Sequence, residues 1–149
     1  MAEEVFSDAY FMRRALSLAK QAFEEDEIPI GAIVVAGGER IIGKGYNQTE
    51  KLTDVTAHAE MLALTAASNH LGAKYLTECT IYVTIEPCPM CAAALHWVQI
   101  PIVVYGAGDA KKGFSKYSPG LLHPKTLVKN GVLEEECSSL MKRFFAEKR

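Results

Sequence analysis

The sequence predicts a three-layer α/β/α fold, in which a mixed five-stranded sheet carries helices on both faces. A short β-branched run, Ile30 to Ala36, is typical of a strand that is covered on both sides. Two strand-like segments, 79–85 and 102–105, are separated by a helical one, and this order implies a parallel pair with a crossover. Amphipathic helices near both ends of the chain would cover the sheet.

Each predicted element has a local signal. The predicted helices are 7–23, 57–70, 89–98 and 133–147, and the predicted strands are 30–36, 40–46, 79–85, 102–105 and 125–129. Ser7 suits an N-cap, and apolar residues follow it at helical spacing. Gly37-Gly38 predicts a hairpin turn between the first two strands. Gly43 and Gly45 indicate a bulge or a close backbone approach in the second strand.

Local signals also bound the later elements. Residues 47–54 are polar and predict a loop, after which Thr56 or Asp54 is expected near the cap of the second helix. Pro89 is tolerated in the first turn of the third helix. Residues 106–124 predict a loop with room for a short helix. The last helix has acidic residues at its start and basic residues near its end, as the helix dipole favours.

The composition is that of a globular protein, because 49% of the 149 residues are hydrophobic and 23% are charged. We therefore expect one domain that spans residues 1–149. No apolar run approaches the roughly 20 residues that a membrane helix needs. The acidic start of the chain differs from the basic start of a signal peptide. A cytoplasmic protein without a membrane partner is the expectation.

Charge is unevenly distributed along the chain. The formal net charge of −2 argues against a general affinity for nucleic acid. Residues 110–133, however, contain no acidic residue and five lysines, Lys111 among them. This segment is interpreted either as a local phosphate-binding surface or as a solvated loop that bears lysines.

Two short clusters carry candidate chemistry, His58-Ala59-Glu60 and Pro87-Cys88-Pro89-Met90-Cys91. His58, Cys88 and Cys91 form a plausible set of zinc ligands, and three protein ligands leave the fourth tetrahedral position open, as in catalytic zinc sites. A thioredoxin-like redox pair is the competing interpretation of the two cysteines, but it gives no role to His58 and Glu60. A zinc ion that only joins two helices is the structural alternative.

The spacing of these residues predicts the local geometry of the site. Cys88 and Cys91 are three positions apart, so they share one face at the start of a helix. His58 and Glu60 would point about 200° apart on a regular helix. They can reach one point only if the motif opens the helix at its end. We therefore expect two helix N-termini to converge on one metal ion.

Glu60 is the predicted catalytic residue, and one Zn²⁺ per chain is the predicted cofactor. Zinc would lower the pKa of a bound water to about 7, and Glu60 would accept the released proton. The hydroxide would attack an amidine-like carbon that bears an exocyclic amine. Glu60 would then deliver protons to the ring nitrogen and to the leaving ammonia.

The two clusters match the His-x-Glu and Pro-Cys-x-x-Cys signature of zinc nucleobase deaminases. Beyond them, the chain resembles the bacterial tRNA-specific adenosine deaminases, which have a cytidine deaminase-like fold. The matching stretches cover nearly the whole length and are 27–32, 56–60, 76–91, 103–107, 109–111 and 144–145.

This resemblance implies a homodimer that binds the anticodon stem-loop of tRNA and converts a flipped wobble adenosine to inosine. By resemblance, Asn47 would contact the flipped base or ribose, and Asp109 would face the ribose 2′-hydroxyl side. Lys111 and other basic residues of the loop and last helix would meet phosphates. For Asn47 and Asp109, ordinary turn chemistry is the alternative.

Two other functions stay open from the sequence. A deaminase of a free base or nucleoside, such as guanine, cytosine or cytidine, would use the same zinc chemistry without a basic rim. A zinc-bearing module would bind RNA without catalysis, although the presence of Glu60 argues against it.

Overall fold

The computed structural model describes residues 3–117 and 120–148, which form four α-helices and five strands. The helices are α1 (Asp8–Glu24), α2 (Ala59–Leu71), α3 (Pro89–Trp97) and α4 (Glu134–Glu147), and the strands are β1 (Gly31–Ala36), β2 (Arg40–Tyr46), β3 (Cys79–Ile85), β4 (Ile102–Ala107) and β5 (Leu127–Lys129). A short 3₁₀ helix, Phe114–Tyr117, interrupts the long loop after β4. Within these described ranges, no helix has both the length and the apolar character needed to cross a membrane.

The sheet has the strand order β2-β1-β3-β4-β5 and is mixed, as the sequence predicts. Strand β1 runs antiparallel to both β2 and β3, whereas β3, β4 and β5 are parallel. Helix α3 is therefore the crossover between two parallel strands. Its N-terminus lies where β3 ends, at the carboxyl edge of the parallel part of the sheet.

Helices cover both faces of the sheet, which confirms the three-layer architecture. The side chains of β1 alternate between two apolar clusters. Ile33 and Val35 pack with α1 and α4 on one face, and Ala32 and Val34 pack with α2 and α3 on the other. All four are fully buried, so β1 is apolar at every position and shows no polar alternation.

Strand β2 approaches α2 at backbone distance because it carries two glycines on that side. An added Cβ at Gly43 or Gly45 would overlap a carbonyl oxygen of α2. The register also shifts between Val34 and Val35, which leaves one extra residue in β2. Both expectations for these glycines, the bulge and the close approach, are confirmed. The contact fixes α2 against the sheet over its first turns.

The start of α2 differs from the sequence prediction. The sequence predicts a helix from residue 57 with Thr56 or Asp54 near its cap, but the helix begins at Ala59 and its N-cap is His58. Asp54 instead accepts hydrogen bonds from the backbone N–H and hydroxyl of Thr56 within the preceding loop. Because Asp54 serves that loop, it does not cap the helix. Smaller differences are that β4 continues to Ala107 and β5 begins only at Leu127.

Replacement of Gly31 by alanine should destabilise the fold. A Cβ at this position would overlap the carbonyl oxygen of Ala15 and lie 2.6 Å from the Ala19 nitrogen, so α1 would have to move from the sheet. Overpacking of this kind lowers the free energy of unfolding by about 1–3 kcal/mol. Urea denaturation at equal zinc content measures the loss. Gly108→Ala is the control, since its added Cβ meets its nearest neighbour at 3.5 Å, and equal stability of both variants would contradict the close approach.

Candidate metal centre and active site

The three predicted metal ligands lie together in the structure. His58 Nδ1 is 3.6 Å from Cys88 Sγ and 3.5 Å from Cys91 Sγ. Zn–S bonds of about 2.3 Å and Zn–N bonds of about 2.0–2.1 Å, at tetrahedral angles, separate the sulfur and nitrogen atoms by about 3.6 Å. The side chains therefore stand at the spacing that one tetrahedral zinc ion requires. Within the described ranges, this is the one cluster with three such ligands.

Two helix N-termini supply these ligands, as predicted. His58 is the N-cap of α2 with an extended backbone (φ −75°, ψ 154°), and Cys88 is the N-cap of α3 (φ −74°, ψ 170°). Cys91 follows in the first turn of α3. His58 is extended and lies outside the helix, whereas Glu60 lies within it. The angle of about 200° that separates two such residues on a regular helix therefore does not apply to this pair. The positive ends of both helix dipoles favour thiolates at this point.

The two thiols have opposite proton affinities. A hydrogen bond from Cys91, with further help from His58, lowers the pKa of Cys88 to about 4. The same interaction with Cys88, together with burial, raises the pKa of Cys91. The hydrogen bond between the two sulfurs therefore favours one thiolate and one thiol in this pair, with a single proton between them. Ligation of zinc by both residues must release that proton, because thiolates are the metal-binding form.

Glu60 lies in the first turn of α2 with only 3% of its surface exposed. Burial raises the pKa of this carboxyl to about 7. A carboxyl that titrates near neutral pH can both accept and donate a proton during one reaction cycle. A hydrogen bond with Cys91 places this proton carrier beside the cluster.

Asn47 follows β2 and is buried next to the same helix end. Its Nδ2 faces Glu27 Oε1 at 3.5 Å, and its backbone N–H donates to the Ile30 carbonyl. The next residue, Gln48, donates its N–H to the carbonyl of Ala57, one position before the histidine ligand. The structure thus brings Asn47 close to the metal-binding segment, and its contact with substrate remains a prediction.

Asp109 and Lys111 occupy the loop after β4. Asp109 Oδ1 accepts hydrogen bonds from the N–H groups of Lys111 and Lys112, both at 3.0 Å. This is the turn chemistry that is the alternative for Asp109. Both lysines are exposed. The same loop reaches the cluster through Phe114, whose N–H donates to the carbonyl of Pro87, next to Cys88. A hydrogen bond with Cys88 raises the pKa of His58.

Two buried carboxylates hold the loops beside the site. Both lie in stretches that match the family, 27–32 and 76–91, but the sequence analysis gave neither of them a role. Glu27 is 1% exposed and accepts hydrogen bonds from the N–H groups of Glu50 (3.1 Å) and Lys51 (2.8 Å). Glu86 is 7% exposed and accepts from the backbone of Asp109 and from Ser115. The burial of Glu86 could have been predicted, because this acidic residue directly follows the apolar run of β3.

Comparison with known proteins agrees with this geometry. Residues 6–107 match the family model described as the cytidine and deoxycytidylate deaminase zinc-binding region. A tRNA-specific adenosine deaminase from Aquifex aeolicus is 45% identical over 144 residues, which cover 94% of this chain and 95% of the relative. The chain belongs to the tRNA-specific adenosine deaminase family.

Another deaminase of this group is much longer than the chain. A chloroplastic tRNA(adenine(34)) deaminase from Arabidopsis thaliana is 39% identical over 165 residues, which span 97% of this chain but 12% of the relative's length. The chain therefore corresponds to a small part of that protein.

Solved structures share the architecture of this deaminase. One, from a study of A-to-I editing by tRNA:A34 deaminases at the wobble position of transfer RNA, has a TM-score of 0.82 at 40% identity and covers 88% of this chain and 98% of its own. A guanine deaminase from Nitrosomonas europaea has a TM-score of 0.84 at 22% identity and covers 94% of this chain and 85% of its own. At 22% identity the likeness to the guanine deaminase shows the fold alone. Because deaminases named for different substrates share this fold, the fold by itself does not identify the substrate.

Replacement of Cys91 by alanine should release zinc from the deaminase. With one of three ligands lost, zinc after dialysis against a mild chelator should fall from about one ion per chain to a small fraction. The melting temperature should fall with it, because the ion stabilises only the folded chain. Elemental analysis and a thermal scan measure both effects.

Cys79→Ala is the matched control, since this thiol is buried at the start of β3 in the apolar core. It should keep its zinc. Full zinc occupancy in Cys91→Ala would contradict the assignment of the ligand set.

Proposed function

We propose that this protein hydrolytically deaminates adenosine to inosine at the wobble position of tRNA. The observation that carries the proposal is a three-ligand zinc cluster with a buried carboxyl beside it, in a chain of the tRNA-specific adenosine deaminase family. Within the described ranges the cluster has three protein ligands, which is the pattern of catalytic rather than structural zinc sites.

His58, Cys88 and Cys91 are the proposed zinc ligands. When bound, zinc supplies a nucleophile at neutral pH by lowering the pKa of a water molecule to about 7. The ligands also set its position, because each is attached to the rigid start of a helix. A site on helix ends holds its geometry better than one on mobile loops.

Glu60 is the proposed catalytic acid and base. It takes one proton from the attacking water and delivers it to the N1 nitrogen of adenine, while the water oxygen bonds to C6. It then transfers the remaining hydroxyl proton to the exocyclic amine. The C6–N bond breaks, ammonia leaves, and the oxygen stays as the carbonyl of inosine. A pKa of about 7 suits both directions of transfer.

The RNA-contacting residues lie on the two loops beside the cluster. We assign contact with the flipped base or ribose to Asn47, which is buried near the start of α2. Asp109 is assigned to the ribose 2′-hydroxyl side. Its backbone N–H donates to Glu86, and its loop bonds to Pro87 through Phe114, between β3 and α3. Lys111 is assigned to phosphate, supported by its exposure in a segment without acidic residues other than Asp109.

We further propose a single deaminase domain over residues 1–149 that assembles as a cytoplasmic homodimer and binds an anticodon stem-loop. The dimer is supported by Trp97, which is 79% exposed and lines a groove of about 440 Å³ with Tyr75 and Ile100. Large exposed aromatic side chains are typical of interfaces. The reducing cytoplasm suits metal-binding thiolates, and all four cysteines are free. Gel filtration at working concentration tests the dimer.

A substrate comparison tests the proposed function. Purified zinc-loaded protein is incubated with an anticodon stem-loop that carries a wobble adenosine, and separately with guanine, cytosine and cytidine. Mass spectrometry should detect the exchange of an amine for an oxygen only in the RNA. A stem-loop with guanosine at the wobble position is the control. Conversion of guanine alone would instead assign the protein to free-base deaminases, and no conversion would favour a non-catalytic RNA-binding module.

Replacement of Glu60 by glutamine should remove turnover and keep the metal. Glutamine has nearly the same shape but cannot accept and return a proton, so kcat should fall by at least about 10²–10⁴-fold. Zinc content should stay at about one ion per chain, because Glu60 is not a ligand. Glu78→Gln, at an exposed position, is the matched control. Near wild-type turnover in the Glu60 variant would remove its catalytic assignment.

A further inference from the structure

The loop after β4, residues 108–115, closes around the carboxylate of Glu86. Glu86 Oε1 accepts the backbone N–H of Asp109 at 3.0 Å. Its Oε2 accepts the backbone N–H of Ser115 at 3.0 Å and the hydroxyl of Ser115 at 2.6 Å. One side chain at the end of β3 therefore holds both ends of this loop.

The loop fits the carboxylate closely. An added Cβ at Gly113 would overlap the carboxyl group of Glu86. The loop also bonds to the metal-binding corner, since Phe114 donates its N–H to the carbonyl of Pro87 at 2.9 Å, next to the ligand Cys88. A buried carboxylate is costly unless hydrogen bonds compensate its lost hydration. Here the compensating donors all belong to the loop, so the loop and the carboxylate stabilise each other.

The 108–115 loop presents positive charge beside the candidate zinc ligands. Lys111 and Lys112 are exposed at its tip, and Asp109 Oδ1 fixes both backbone N–H groups. The N–H of Phe114 in the same loop bonds to the carbonyl of Pro87, next to Cys88, so the loop lies beside the candidate zinc ligands. Glu86 itself is only 7% exposed, and its carboxylate accepts hydrogen bonds from Asp109 and Ser115 of the loop. The two ammonium groups are thus carried by a loop that is held in place before any partner binds, and such preorganisation lowers the entropic cost of association.

We propose that Glu86 is a positioning residue for RNA binding: its buried carboxylate holds the 108–115 loop so that Lys111 and Lys112 meet phosphates next to the flipped base. This inference rests on the proposed tRNA substrate and deepens it. Glu86 itself touches neither RNA nor the reacting atoms, and it acts through the two lysines.

The test is the affinity of Glu86→Gln for the anticodon stem-loop as a function of salt. Glutamine replaces one acceptor oxygen with an NH₂ donor, which cannot accept the two bonds from Ser115 or, in the flipped orientation, the bond from Asp109. Loss of charge-assisted hydrogen bonds of this kind should raise Kd by about 10- to 100-fold. The plot of log Kd against log salt should become shallower by about 0.7 for each lost phosphate contact. Fluorescence anisotropy in a Glu60→Gln background measures binding without turnover.

Three further variants make the result specific. Glu39→Gln changes the net charge equally at an exposed turn position and should bind as its parent does. The Lys111→Ala/Lys112→Ala pair should show the same shallower salt dependence as Glu86→Gln. When the lysine pair is combined with Glu86→Gln, Kd should rise little beyond its value in Glu86→Gln alone. The three substitutions act on the same interaction, the contact of the two lysines with phosphate, so their effects are not additive. Zinc content is measured in each variant.

Ser115→Ala keeps the test decisive if Glu86→Gln fails to fold. It removes the 2.6 Å bond alone and should give a smaller shift in the same direction. Weaker binding with an unchanged salt slope would overturn the proposal and leave Glu86 a merely structural role. Unchanged affinity in both variants would also overturn it. Failure of the wild-type protein to convert the stem-loop would instead reject the proposed tRNA substrate, so the two failures are distinguishable.

Discussion

The site depends on the convergence of two helix N-termini. His58 and Cys88 each occupy an N-cap position with extended backbone, and their side chains approach each other to 3.6 Å. The cap position serves two needs at once. It turns a side chain out of the helical path, so that ligands from separate helices can meet, and it places thiolates at the positive ends of two helix dipoles. Glu60 then follows inside the first turn of α2, where its buried carboxyl forms a hydrogen bond with Cys91.

The three-layer core explains how the two helix ends are held together. Helix α3 connects two parallel strands, so its N-terminus must lie at the carboxyl edge of β3. Helix α2 reaches the same edge because Gly43 and Gly45 let β2 lie against its backbone. The crossover connection places one ligand-bearing helix and close backbone packing places the other. The spacing of His58, Cys88 and Cys91 is therefore a consequence of the core rather than of flexible surface segments.

Buried carboxylates extend this order to the loops. Glu27 and Glu86 each accept backbone N–H groups from one loop, and the two loops follow β2 and β4, which flank β1 and β3 in the sheet. A carboxylate can accept several bonds at once, which suits the irregular backbone of a loop better than an apolar contact does. The proposed substrate residues thus stand on segments that are fixed by charge-assisted hydrogen bonds.

The sequence by itself determined the helices and strands and the members of the candidate zinc cluster, because both are marked by short-range spacing. Apolar runs, helical spacing and turn residues marked the nine helices and strands, and the His-x-Glu and Cys-x-x-Cys intervals marked the three side chains that the structure brings together. Only the tertiary structure showed that His58, not Thr56 or Asp54, ends the loop before α2. It alone also paired Glu86 with Ser115, 29 residues away, and Glu27 with Glu50, 23 residues away. Hydrogen bonds from a side chain to a distant backbone leave no period in a sequence, since they exist only once the packed core has brought the two segments together.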